Sequence, residues 1–87
     1  MNEAPPQPKD SFRVVLTLNI RMPRLDTVLL EAIRAQDRNS DLKRISRTAY
    51  KNLFYEKRIL IKGQCAKPSS SLAVGITYVD ILGFSEE

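Results

Sequence analysis

Eight basic residues, Lys43, Arg44, Arg47, Lys51, Lys57, Arg58, Lys62 and Lys67, fall between positions 43 and 67 with a single acid, Glu56, among them. That segment carries +7, and the remaining 6 basic and 9 acidic residues give −3, so the overall +4 conceals a polarised chain. Ammonium and guanidinium groups at this density are suited to binding phosphate. Composition alone leaves a second reading equally open, a solvated face that serves only solubility. Arg47 and Lys51 stand four residues apart, which on a helix would put both on one face.

Other chemistries lack their residues. The chain has no histidine and one cysteine, Cys65, so the commonest general base and any thiolate zinc site are missing. Its only glycines are Gly63, Gly75 and Gly83, which make no phosphate-cradling loop. The acids are scattered rather than gathered where a pKa could be tuned for proton transfer. Asp26 sits in an Arg-Leu-Asp triplet of the kind that surrounds the catalytic aspartate of pseudouridine synthases. Here the triplet opens an amphipathic segment, and capping of a helix, or support of its first turn, is the better reading. A non-catalytic protein with no metal, no cofactor and no small-molecule substrate is expected.

The elements that must position the basic residues follow from pattern. Arg13 to Ile20 is rich in β-branched residues, with Leu16, Leu18 and Ile20 alternating with Thr17 and Asn19, and reads as a strand with one wet face. Pro23 ends it. Leu25, Val28, Leu29, Ala32 and Ile33 lie on one helical arc, predicting a helix over about 25–36. Residues 37–45 are a connection with one helical turn near Leu42. Ser46 is a suitable N-cap for a second helix, in which Ala49, Tyr50, Leu53 and Phe54 form the apolar arc. Tyr55 lies nearer the basic face, where it could stack on a base, although partial burial is the commoner fate of such a ring. Arg58 to Lys62 is a strand turned by Gly63, Gln64 to Lys67 returns along it, and Ile76 to Leu82 is the last strand of an antiparallel meander.

A chain of 87 residues has room for one domain with a modest core. Pro5, Pro6 and Pro8 among polar residues predict a disordered tail over 1–11, a single domain over 12–83 and a flexible end over 84–87. Glu3, Asp10 and the prolines stand where a signal peptide would need a basic start and an apolar run. No segment has the composition of a membrane span. With one unpaired thiol, the chain is expected to be soluble, monomeric and cytoplasmic, away from membranes.

The pieces also occur in a recognisable series. Arg24-Leu25-Asp26 with Leu29, Ser46-Arg47-Thr48, Leu53-Phe54, Ile59-Leu60-Ile61-Lys62-Gly63, Lys67-Pro68-Ser69, Leu72 and Gly75 resemble, in order and register, the RNA-binding domain named after small-subunit ribosomal protein S-four, the alpha-L RNA-binding motif. Three positions depart from that pattern: Lys57 replaces a glycine, Lys62 an asparagine, and Gly75-Ile76 a Gly-Asp pair. The long connection before Ser46 is similar to the version found at the N-terminus of large-subunit pseudouridine synthases. The resemblance implies an α+β fold, two helices packed on a small twisted antiparallel sheet, here with an additional N-terminal strand. It further implies docking on structured ribosomal or transfer RNA, or on the ribosome, through Arg24, Lys43, Arg44, Arg47, Thr48, Lys51, Lys57 and Lys62. The alternatives are the targeting domain of a pseudouridine synthase and a protein interaction module that lost RNA binding.

Overall fold

In the computed structural model, residues 6–84 are described. They form, in order, β1 (Ser11–Leu18), α1 (Leu25–Ala35), α2 (Ser40–Lys43), α3 (Arg47–Tyr55), β2 (Ile59–Ile61), β3 (Gln64–Cys65) and β4 (Gly75–Leu82). The class is the expected one: helices on a four-stranded antiparallel sheet, with β1 as the additional N-terminal strand. The meander is not. The sheet runs β1-β4-β2-β3, so β4 passes back over the β2–β3 hairpin to lie between β1 and β2. The physical reason is the length of strand available for pairing. β3 is two residues long and exposed, whereas β1 offers eight residues for β4 to pair with, from Ser11↔Leu82 to Leu18↔Gly75.

Register then builds the core. Phe12, Ile81 and Ile59 form one cross-strand row, and Val14, Val79 and Ile61 the next, all on the face that meets the helices. Leu25, Val28, Leu29 and Ile33 of α1, Leu42 of α2, and Tyr50, Leu53 and Phe54 of α3 close over them. The other face carries a charged row. Arg13 faces Asp80, the carboxylate is almost fully buried, and the guanidinium grips it with two hydrogen bonds of 2.8 and 3.0 Å. That hydrogen bonding raises the Arg13 pKa further above its ordinary value, and the same group lies 5.3 Å over the Tyr78 ring.

Several boundaries move from expectation. Asn19 and Ile20 leave the strand, because pairing ends at Leu18 and Ile20 is exposed. Ser11 belongs to β1 rather than to a disordered tail: its hydroxyl donates to the Pro8 carbonyl and its own carbonyl accepts from Gln7. Phe84 packs against the core under Arg58. Residues 6–10 of the expected tail are described as well, with the Asp10 carbonyl accepting from the Gly83 amide (2.7 Å), and 1–5 and 85–87 lie outside the described residues.

Two turns place lysine where glycine or asparagine is usual. The C-terminus of α3 closes as a Schellman motif, with the Arg58 amide donating to the Leu53 carbonyl (2.9 Å) and the Lys57 amide to that of Phe54 (3.1 Å). That geometry requires a left-handed residue, and Lys57 supplies it at φ 58. The β2–β3 connection is the two-residue kind with both members at positive φ, Lys62 at 53 and Gly63 at 79.

Candidate nucleic-acid interface

The second long helix begins where the sequence placed it. The Ser46 hydroxyl accepts from the Ala49 amide (3.1 Å), and its carbonyl accepts from Tyr50 (2.8 Å). The Arg47 and Thr48 amides have no acceptor among the described residues and point out of the positive end of α3. With Tyr50, Leu53 and Phe54 turned inward, Arg47 and Lys51 are left exposed on the opposite ridge. Neither side chain has an ion pair or hydrogen bond among the described residues.

The facing wall is set by an unusual helix start. No side chain caps α1. The loop after β3 does so instead: Leu25 donates to the Ser70 carbonyl (2.8 Å) and Asp26 to that of Pro68 (3.1 Å), while Met22 and Leu72 exchange hydrogen bonds of 2.9 and 2.8 Å. Lys67, in the turn closed by Ser70 onto its carbonyl, is thereby fixed beside the start of α1. The Tyr50 hydroxyl donates to the Asp26 carbonyl (2.7 Å) and ties α3 to the same point. Burial first, and the Asp26 charge second, push that hydroxyl well above its ordinary pKa.

Between these walls runs an open groove of about 1150 Å³, lined by five cations, Arg24, Arg34, Arg47, Lys51 and Lys67, against two acids, Asp26 and Glu31. Asp26 is not the N-cap. It sits in the first turn, where its carboxylate accepts from the Thr27 amide (2.9 Å) and from Arg24 (3.0 and 3.1 Å), and the Arg24 guanidinium holds its pKa below the usual range. An ionised, solvent-facing carboxylate with an arginine partner is a weak surface ion pair. Among the described residues, no three His, Cys, Asp or Glu side chains cluster to hold a metal.

The expected RNA-contacting residues therefore divide. Arg24, Arg47 and Lys51 line the groove together. Thr48 is exposed at the start of α3, and Lys57 at its end. Arg44 is exposed at the end of α2, and Lys43 forms an ion pair with Asp37. Lys62 is at the hairpin tip and lines a different depression, shared with the outer face of β4. Arg34 and Lys67 were missed. Lys67 was part of the basic stretch, but only the loop's capping of α1 brings it to the groove; Arg34 donates to the Lys43 carbonyl (2.5 Å) from the far end of α1. Tyr55, for which partial burial was the commoner expectation, is 82% exposed.

Comparison with family models, with curated proteins and with solved structures gives no match. Among the described residues no helix is long and apolar enough to cross a membrane.

Proposed function

We propose that this protein is a non-catalytic RNA-binding module that docks on structured ribosomal RNA or a ribosome-bound transfer RNA in the cytoplasm. The observation that carries this reading is the groove between α1 and α3, with its excess of three positive charges and with Arg47 and Lys51 left unpaired beside the open amides of a helix start. Exposed cations with no internal partner contribute little to folding and are free to displace counterions from a phosphate backbone. The motif series from Arg24 to Gly75 supports the same reading by resemblance. Contacts of this kind position a backbone without reading base identity, so the ligand is recognised by shape.

The test is a titration by fluorescence anisotropy at several salt concentrations. If the groove neutralises roughly three to five phosphates, log K falls with log salt at a slope of about −3 to −4.5, and folded RNA is preferred to an unstructured strand of equal length. A flat salt response would transfer the proposal to a protein partner. The long connection before Ser46 supports, by resemblance, one variant of the reading, an RNA-targeting domain that serves a pseudouridine synthase. Sequencing the gene beyond Glu87 separates the two.

A further inference from the structure

The ridge of α3 that carries Arg47 and Lys51 ends in an aromatic ring that the core does not use. Tyr55 is the most exposed of the large hydrophobic side chains among the described residues. Its neighbour Phe54 turns inward and meets Tyr50 edge-on, with ring centroids 5.4 Å apart, so the apolar arc is complete without it. The Tyr55 hydroxyl has no hydrogen-bond partner among the described residues. Residues 47, 51 and 55 are spaced by four, which on a helix sets them in one row with about 6 Å of rise between successive members. That rise is on the scale of one nucleotide step along an RNA strand. All three side chains line the groove.

Resting on the RNA-binding reading, we infer that Tyr55 is a stacking platform for one unpaired base, whose adjoining phosphates sit on Lys51 and Arg47. Every base has a face that can stack on such a ring, but in an uninterrupted A-form duplex those faces are covered by neighbouring pairs. A bulge or loop nucleotide offers one. The preferred ligand is therefore a helix interrupted by an unpaired nucleotide, with the paired part held by its phosphates and the extruded base held by Tyr55. The charge next to the ring favours this occupant over an apolar protein surface, which would have to desolvate Lys51.

Two hairpin RNAs that differ only in a single unpaired adenosine provide the test. Tyr55→Ala is expected to weaken binding to the bulged hairpin by roughly 5- to 150-fold and to the fully paired one by less than about twofold, and Tyr55→Phe to keep wild-type affinity for both. The chain contains no tryptophan. Tyr55→Trp therefore gives a single-tryptophan protein whose emission should be quenched by the bulged hairpin and not by the paired one. Wild-type affinity in Tyr55→Ala, or equal losses on the two hairpins, would overturn the stacking role and leave phosphate docking standing. If the unmodified protein binds neither hairpin at low salt, both readings fall.

Discussion

The cations of this protein include two groups that the sequence does not distinguish. Arg13, Arg38 and Arg58 are used by the fold. Arg13 neutralises the buried Asp80, Arg38 lies 4.6 Å over the Phe12 ring and donates to the Arg13 carbonyl, and Arg58 donates to the Leu82 carbonyl while covering Phe84. Arg47, Lys51, Lys57, Lys62 and Lys67 hold nothing with their charged ends among the described residues. The difference lies in where each side chain stands. Arg13, Arg38 and Arg58 reach an acceptor or a ring at the sheet margin, where a planar guanidinium can stack and donate two ways at once, whereas Arg47 and the four lysines stand on exposed helix and turn positions with no such partner in reach. Net charge counts both groups alike, yet only the second has charged ends that no described part of the fold occupies.

The largest effect is expected at Arg13. Arg13→Leu leaves the Asp80 carboxylate buried without its partner and is expected to lose ~3–5 kcal/mol in a denaturant melt. Adding Asp80→Leu should recover most of that, because two apolar residues replace the pair on a face already bordered by Leu60. A loss under about 1 kcal/mol for the single variant would show that Arg13 belongs with the surface cations.

A smaller effect is expected at Tyr50, which ties α3 to the start of α1. Tyr50→Phe removes its hydrogen bond to Asp26 and is expected to cost about 1 kcal/mol. Its pH dependence has a definite sign. The folded-state pKa of Tyr50 is raised, so its contribution is complete below the unfolded tyrosine value of about 10 and is lost as pH rises beyond it. Stability of the wild type should therefore fall more steeply than that of Tyr50→Phe in alkaline melts. Parallel curves would remove the buried hydroxyl from the account.

Smaller effects of the opposite sign are expected at the left-handed lysines. An L-residue in that conformation costs about 1–2 kcal/mol, partly offset by the entropy glycine loses on folding. Lys57→Gly should thus stabilise the domain by about 0.5–1 kcal/mol, and Lys62→Asn by somewhat less, read as an upward shift of the melting temperature. Gly83 is the reverse case. At φ 89, with the Arg58 guanidinium 1.7 Å from where a Cβ would stand, alanine there should destabilise.

Much of the fold is legible in the sequence. Ser46 and the arc of Tyr50, Leu53 and Phe54 specify α3 locally, and Gly63 marks the hairpin, because capping and periodicity act over a few residues. Arg13 and Asp80, 67 residues apart, meet only through the register of β1 on β4. The insertion of β4 between β1 and β2 is likewise a tertiary choice, decided by how much strand each neighbour offers. Lys57 and Lys62 contradict local preference, and the chain adopts the turns regardless. The groove was half legible: Arg47 and Lys51 follow from helical spacing, whereas Lys67 enters through a loop whose backbone caps a distant helix.

The proposal that the exposed ridge of α3 binds RNA through charges the fold does not need is tested most directly by the double charge reversal Arg47→Glu with Lys51→Glu. Affinity for a folded ribosomal RNA fragment, measured by anisotropy beside a thermal melt of the same protein, should fall more than about tenfold while stability changes by no more than about 0.5 kcal/mol. Unchanged affinity would contradict the claim and move the binding surface off α3.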